Sequence, residues 1–172
     1  MKMMFSSFLF SVFTLGIGQV SSHGRFIEPP SRTSAWRFGF GTPSFYNDHE
    51  TNCGGFIRHW EKNGGLCGVC GDAWDLAAPR DGEGGGKFGR GVIVRSYTSG
   101  QTIRVRTDIT ANHGGYFQFS ICPHNNPSTP ATQNCLDRNL LKFQDGTTKF
   151  YLRNGTGTHS TEVIINMHIF NK

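Results

Sequence analysis

Gln101-Thr102-Ile103-Arg104-Val105-Arg106-Thr107-Asp108-Ile109 alternates without a break. Ile103, Val105, Thr107 and Ile109 share one face, while Arg104, Arg106 and Asp108 share the other. A period of two belongs to a strand with one face buried. The same pattern recurs further along. Tyr116 to Ile121 collects Phe117, Phe119 and Ile121, and a last face holds Val163, Ile165, Met167 and Ile169. Gly91 to Thr98 is rich in Val, Ile and Tyr and reads as a further strand. Glycine-rich turns separate these runs, with no helical periodicity between them. The expected fold is all-β, an antiparallel sandwich.

Upstream the texture changes. Residues 24 to 90 are rich in Gly, Pro, Asn and aromatics and read as long loops, with a short helix near Gly55 to Lys62. Asp81 to Gly91 is dense in glycine but is no phosphate loop, because Phe88 follows Lys87 where Ser or Thr is required. No repeat or linker divides the chain, so one domain is expected.

Composition narrows the class. Among 172 residues there are 23 glycines and 15 phenylalanines. That many aromatics bury enough apolar area to offset the ordering entropy, which excludes disorder. Glycine without a regular period excludes collagen. Net charge is +5, yet Arg95, Arg104, Arg106, Arg138 and Arg153 are scattered. No basic stripe or nucleic-acid module is formed, so no nucleic-acid partner is expected.

The first 22 residues read as a signal peptide. Lys2 provides the positive start, Met3 to Val20 carries no charge, and Val20-Ser21-Ser22 offers small residues before a cleavage site at His23. A membrane anchor is the competing reading. Ser6, Ser7, Ser11, Thr14, Gly16 and Gly18 weaken it as a spanning helix. The expected mature domain is 23–172, secreted and extracellular, with no membrane association after cleavage.

Cys53, Cys67, Cys70, Cys122 and Cys135 all fall in that domain. Secretion makes disulfides their default state. Cys67-Gly68-Val69-Cys70 also has the spacing of a redox pair or half a zinc site, but glycines flank it where a redox helix should begin. Cys122 and Cys135 bracket a loop containing Pro123, Pro127 and Pro130, which makes them candidates to pair. Five is odd, so one thiol lacks a partner within the chain. A monomer is expected unless that cysteine pairs between molecules. Asn154-Gly155-Thr156 is an N-glycosylation acceptor.

Cleavage before His23 would expose an α-amine beside an imidazole Nδ1, two nitrogens able to chelate one metal. A third nitrogen from another histidine completes a planar, T-shaped set. Nitrogen-rich tetragonal geometry suits Cu(II). The partner is His113, in Thr110-Ala111-Asn112-His113-Gly114-Gly115-Tyr116, on a turn between two strands where glycines permit close approach. His49, His59, His124, His159 and His168 lack such a setting and read as surface or hydrogen-bonded structural residues.

The opening His23-Gly24-Arg25-Phe26-Ile27-Glu28-Pro29-Pro30-Ser31-Arg32, followed by Trp36-Arg37, resembles the start of lytic polysaccharide monooxygenases of the animal AA15 family, the chitin-binding type-4 domain proteins. Asn52-Cys53-Gly54-Gly55, Cys67-Gly68-Val69-Cys70-Gly71-Asp72 and Ala111 to Phe117 match further blocks in the same order. The likeness runs from His23 to about Cys135. It implies an immunoglobulin-like, fibronectin-like β-sandwich and one copper ion in a histidine brace of His23 and His113. It also implies that Ala111 packs beside the copper's axial face. An external reductant and oxygen or hydrogen peroxide would be co-substrates, and crystalline chitin or cellulose the partner. Trp36, Phe45 and Tyr46 are candidates for contact with sugar rings, or cover for the core beneath long loops. From about Gly155 the tail departs from the family pattern, which carries an axial aromatic there with which neither Tyr151 nor Phe170 aligns. A shortened, divergent C-terminus is implied. Two functions follow: an oxidative enzyme, or a non-catalytic protein that binds polysaccharide or copper with the same surface.

Overall fold

The computed structural model describes residues 23–98, 100–152 and 159–166, the last of these as backbone. The expected signal segment 1–22, the acceptor Asn154, and Met167 and Ile169 of the last alternating run lie outside the described residues. Among the described residues no helix is long and apolar enough to cross a membrane.

Alternation builds the central strand. In β2, Thr102–Ala111, Ile103, Val105, Thr107 and Ile109 are buried at 3–8% exposure while the intervening residues stay exposed or half-buried. β2 pairs antiparallel on one side with β1, His23–Glu28, and on the other with β6, His159–Asn166. The β2–β6 register sets Val105 opposite Val163 and Ile103 opposite Ile165, so apolar positions meet across the ladder. A short β4, Lys142–Phe143, adds to the far edge of β6 and gives the order β1-β2-β6-β4. A second sheet holds β3, Tyr116–Phe117, and β5, Phe150–Tyr151, also antiparallel.

The two sheets meet through aromatic rings. Ile103, Val105 and Phe143 form the buried centre, with Phe26, Phe119, Ile121 and Leu141 packed on it. Phe119 lies 5.7 Å from Phe26 and 5.9 Å from Phe143, and Phe150 lies 6.0 Å from Phe143, centroid to centroid. The architecture is the expected all-β antiparallel sandwich.

Three local expectations need correction. Gly91 to Thr98 forms no strand and is mostly exposed, with Ile93 78% accessible. Its β-rich composition lacks the neighbouring ladder and packed face that such propensity really measures. The run from Tyr116 to Ile121 is a strand only at Tyr116–Phe117, continuing as an isolated bridge from Ser120 to Leu140. Conversely, β1 arises inside the stretch read as loops. Its residues are all half-buried, without the two-sided contrast that alternation detects.

The remainder of 31–98 is mostly irregular but anchored, with a short 3-10 helix at Ala35–Phe38. A single π-helical segment, Ile57–Lys62, stands where a short helix was expected. Disulfides join Cys53 to Cys67 and Cys122 to Cys135, leaving Cys70 as the free thiol. In the glycine-dense segment, backbone packs directly on backbone. A β-carbon on Gly89 would lie 1.8 Å from the carbonyl oxygen of Glu83. Glu83, 2% exposed, is held by Arg80, whose Nη1 donates to Oε1 at 2.8 Å and whose backbone N–H donates to Oε2 at 2.9 Å.

Candidate metal centre

The first described residue is a strand residue. His23 pairs with Ala111, the last residue of β2, and a register shift follows between His23 and Gly24. The chain then turns. The Asn112 side-chain oxygen accepts the Gly114 N–H at 2.9 Å, and Gly114 and Gly115 adopt φ of 82° and 101°, left-handed values that glycine reaches without strain. His113 is exposed at the tip of this turn, two residues beyond the residue opposite His23. Ala111 is half-buried. The ladder therefore brings the backbone of His23 and the His113 turn to one end of the sheet.

A cleft of about 590 Å³ opens there, lined by His23, His49, Asn52, Asn112 and Tyr116 among others. Its other wall is the loop around Asp48. Asp48 is fully buried between two arginines: Arg25 Nη1 donates to Oδ1 at 3.1 Å, and Arg37 donates through Nε to Oδ2 at 2.6 Å and through Nη2 to Oδ1 at 3.0 Å. Arg25 also donates to Asp108 Oδ2 at 2.8 Å, tying the loop to β2. The hydrogen bond with Asp48 raises the pKa of Arg37 above its ordinary value. Two cations around one buried carboxylate offset the cost of removing that charge from water.

This anchoring delivers His49 and Glu50 to His23. The Gly24 N–H donates to the His49 carbonyl at 2.9 Å, stitching the loop to β1. Glu50 Oε1 then lies 3.4 Å from His23 Nε2 and 3.6 Å from His49 Nε2, with the two rings 5.4 Å apart. Among the described residues, His23, His49 and Glu50 are the group whose ligand atoms converge, all within 4.8 Å of one another. Two imidazoles and a carboxylate suit a divalent first-row ion, zinc and copper among them. On donor chemistry, the end of the sheet fits such an ion.

His113 is brought to the same end but stands outside the converged group. His49, read from sequence as a surface or hydrogen-bonded structural residue, stands inside it. Its signal was the run Asp48-His49-Glu50, an imidazole between two carboxylates. His59 and His124 have the structural roles expected, with Nε2 of each within 2.9 Å of a backbone carbonyl oxygen, those of Gly65 and Thr129.

The three aromatic candidates separate. Phe45 packs on buried Phe88 at 5.0 Å and covers the core. Trp36 is half-buried beneath the Arg37 guanidinium at 4.4 Å. Tyr46, edge-on to Trp36 at 5.1 Å, is 72% exposed. Sequence reasoning missed a further pair: Tyr116 and Tyr151, 47% and 67% exposed with rings 5.6 Å apart, joined across β3 and β5 at the cleft's rim. The free Cys70 also lines the cleft. Burial pushes its thiol pKa up, although Arg32 Nη1 lies 3.4 Å from the sulfur.

A family model described as lytic polysaccharide mono-oxygenase, cellulose-degrading, matches residues 23–169, reaching beyond the blocks that end near Cys135. Among solved structures the chain is similar to the AA15 lytic polysaccharide monooxygenase from Thermobia domestica in the Cu(I) state. The two are 42% identical with a TM-score of 0.79, over 84% of this chain and 74% of that one. No curated protein matches.

Proposed function

The chain belongs to the lytic polysaccharide monooxygenase family, and from that premise we propose that it is a secreted, copper-dependent enzyme that oxidatively cleaves glycosidic bonds of chitin or cellulose. Removal of residues 1–22 frees the His23 α-amine. His23 would hold copper through that amine and its ring Nδ1, and His113 through its ring. The observation that carries this reading is the register pairing His23 with Ala111, which brings the His113 turn to the same sheet end as His23. The Cu(I) state of the Thermobia domestica protein supports the choice of metal.

When bound, copper would supply a one-electron redox centre that uses an external reductant with oxygen or hydrogen peroxide to oxidise a glycosidic carbon. The protein's own residues have other tasks. The α-amine must shed its proton to act as a ligand, which is easy for a group titrating near pH ~8. Ala111, with only a methyl group, leaves room beside the metal. An insoluble polysaccharide cannot be drawn into a pocket, so the contact surface must project, as His113, Tyr46, Tyr116 and Tyr151 do. Such tyrosines offer apolar rings to sugar faces and hydroxyls to their edges. The cellulose named in the family description and the chitin of the type-4 resemblance are both candidate substrates.

Mass spectrometry of products decides the matter. Mature protein, copper and a reductant, incubated separately with chitin and cellulose, should release oxidised oligosaccharides from at least one. Binding to either without oxidised products would replace the enzyme with a non-catalytic polysaccharide-binding protein.

A further inference from the structure

We propose that the Nε2 atoms of His23 and His49 with Oε1 of Glu50 form a second, side-chain-only metal site, which takes a tetrahedral divalent ion of the zinc class. It does not rest on the copper reading, because it uses neither the α-amine nor His113.

A tetrahedral ion with bonds of about 2.0–2.1 Å has ligand–ligand edges of about 3.3–3.4 Å. Two edges of the trio are already 3.4 and 3.6 Å, and the third closes within 4.8 Å. Metal binding would have to draw that third edge in to the tetrahedral value. Three protein ligands with a fourth position open to solvent are the usual arrangement of a reactive zinc site. Here His23 and His49 line the cleft, and the side chains of His23, His49 and Glu50 are 23%, 29% and 44% exposed.

The surroundings are built for it. The loop carrying His49 and Glu50 is fixed by the Gly24 to His49 backbone bond and by the two arginines on Asp48. Asp48 Oδ1 lies 3.8 Å from His49 Nδ1, on the side of the ring away from the ligand nitrogen. At that distance the carboxylate makes no hydrogen bond to the ring, but its charge favours a cation on the imidazole. Arg25 is balanced by Asp48 and Asp108, so its charge does not oppose a cation in the trio.

A neutral imidazole has one lone pair to give, so a metal on Nε2 of His23 leaves Nδ1 carrying the proton. The trio and a brace through Nδ1 are therefore mutually exclusive uses of one ring. Zinc-class loading and copper loading should compete.

Cobalt(II) is the probe, because tetrahedral and six-coordinate ions differ strongly in visible absorption. It is titrated into the mature chain and into a form with one glycine added before His23, which blocks the amine chelate. Both should develop the intense tetrahedral spectrum. His49→Gln and Glu50→Gln should each weaken binding at least tenfold, whereas His113→Ala should leave it unchanged. Melting curves of the apo variants confirm that each is folded. Equal affinity in His49→Gln, Glu50→Gln and wild type, or a weak six-coordinate spectrum throughout, overturns the proposal. Neither outcome touches the copper reading, which stands or falls on oxidised products.

Discussion

The β1–β2–β6 sheet and the loop layer of residues 31–98 are held by different forces. The sheet is a ladder with a buried aliphatic and aromatic face, and Ile103, Val105 and Phe143 need no polar partner. The loop layer has little apolar interior and instead buries charge: Asp48 between Arg25 and Arg37, and Glu83 against Arg80. Apolar burial tolerates imprecision, because it scales with area. A buried carboxylate does not, because losing one partner leaves the other stranded. The cleft lies where these two kinds of construction meet, with His23 from the ladder and His49 from the charged loop.

The contrast predicts an order of effects. Phe143→Ala should be the most damaging, destabilising the fold by about 3–5 kcal/mol, because it opens a cavity in the buried centre shared with Ile103 and Val105. Urea denaturation measures this, and the loss should be insensitive to salt. Asp48→Asn should follow at about 2–3 kcal/mol, since it leaves two arginines facing a neutral amide. Raised salt should partly relieve that loss. A cost below about 0.5 kcal/mol, the level of an ordinary surface change, would mean that the loop layer does not depend on its buried charge.

Asp75→Asn should matter least. Hydrogen bonds from Arg58, then Lys62 and Asn63, hold its carboxyl well below the usual carboxylate range, but the residue is exposed and water screens its pairs. A depressed pKa stabilises the fold above the unfolded value of about 4, and the benefit disappears as pH falls through the folded value. The small difference in melting temperature between Asp75→Asn and wild type at pH 7 should therefore close in acid. A difference that persists there would point to packing instead of charge.

The same contrast decides what the sequence reveals. Burial along β2 was legible to the residue, because alternation is a direct imprint of a two-faced strand. The Cys122–Cys135 bridge was legible as well, from the loop it closes. Gly91 to Thr98 misled for the converse reason: propensity is local, and the ladder it needs is not supplied. His49 was missed because its position depends on Gly24, Arg25 and Arg37, and no periodicity links those residues. His23 was singled out for its place after an expected cleavage site, yet its strand pairing was not foreseen, since β1 is an edge strand of mixed polarity. The regular half can be read from pattern, and the charged half only from contacts.

The pairing of His23 with Ala111 has a consequence in time as well as in space. It joins the start of the domain to a residue well beyond its middle, and such long-range ladders close late, after their loop entropy has been met. His49 and Glu50 are much nearer to His23 along the chain, so the trio can assemble before the His113 turn arrives. A nascent or refolding molecule would then acquire its two imidazoles and a carboxylate first and the sheet-end arrangement last. Metal uptake followed during refolding would resolve that sequence as two kinetic phases, the earlier one dependent on Glu50.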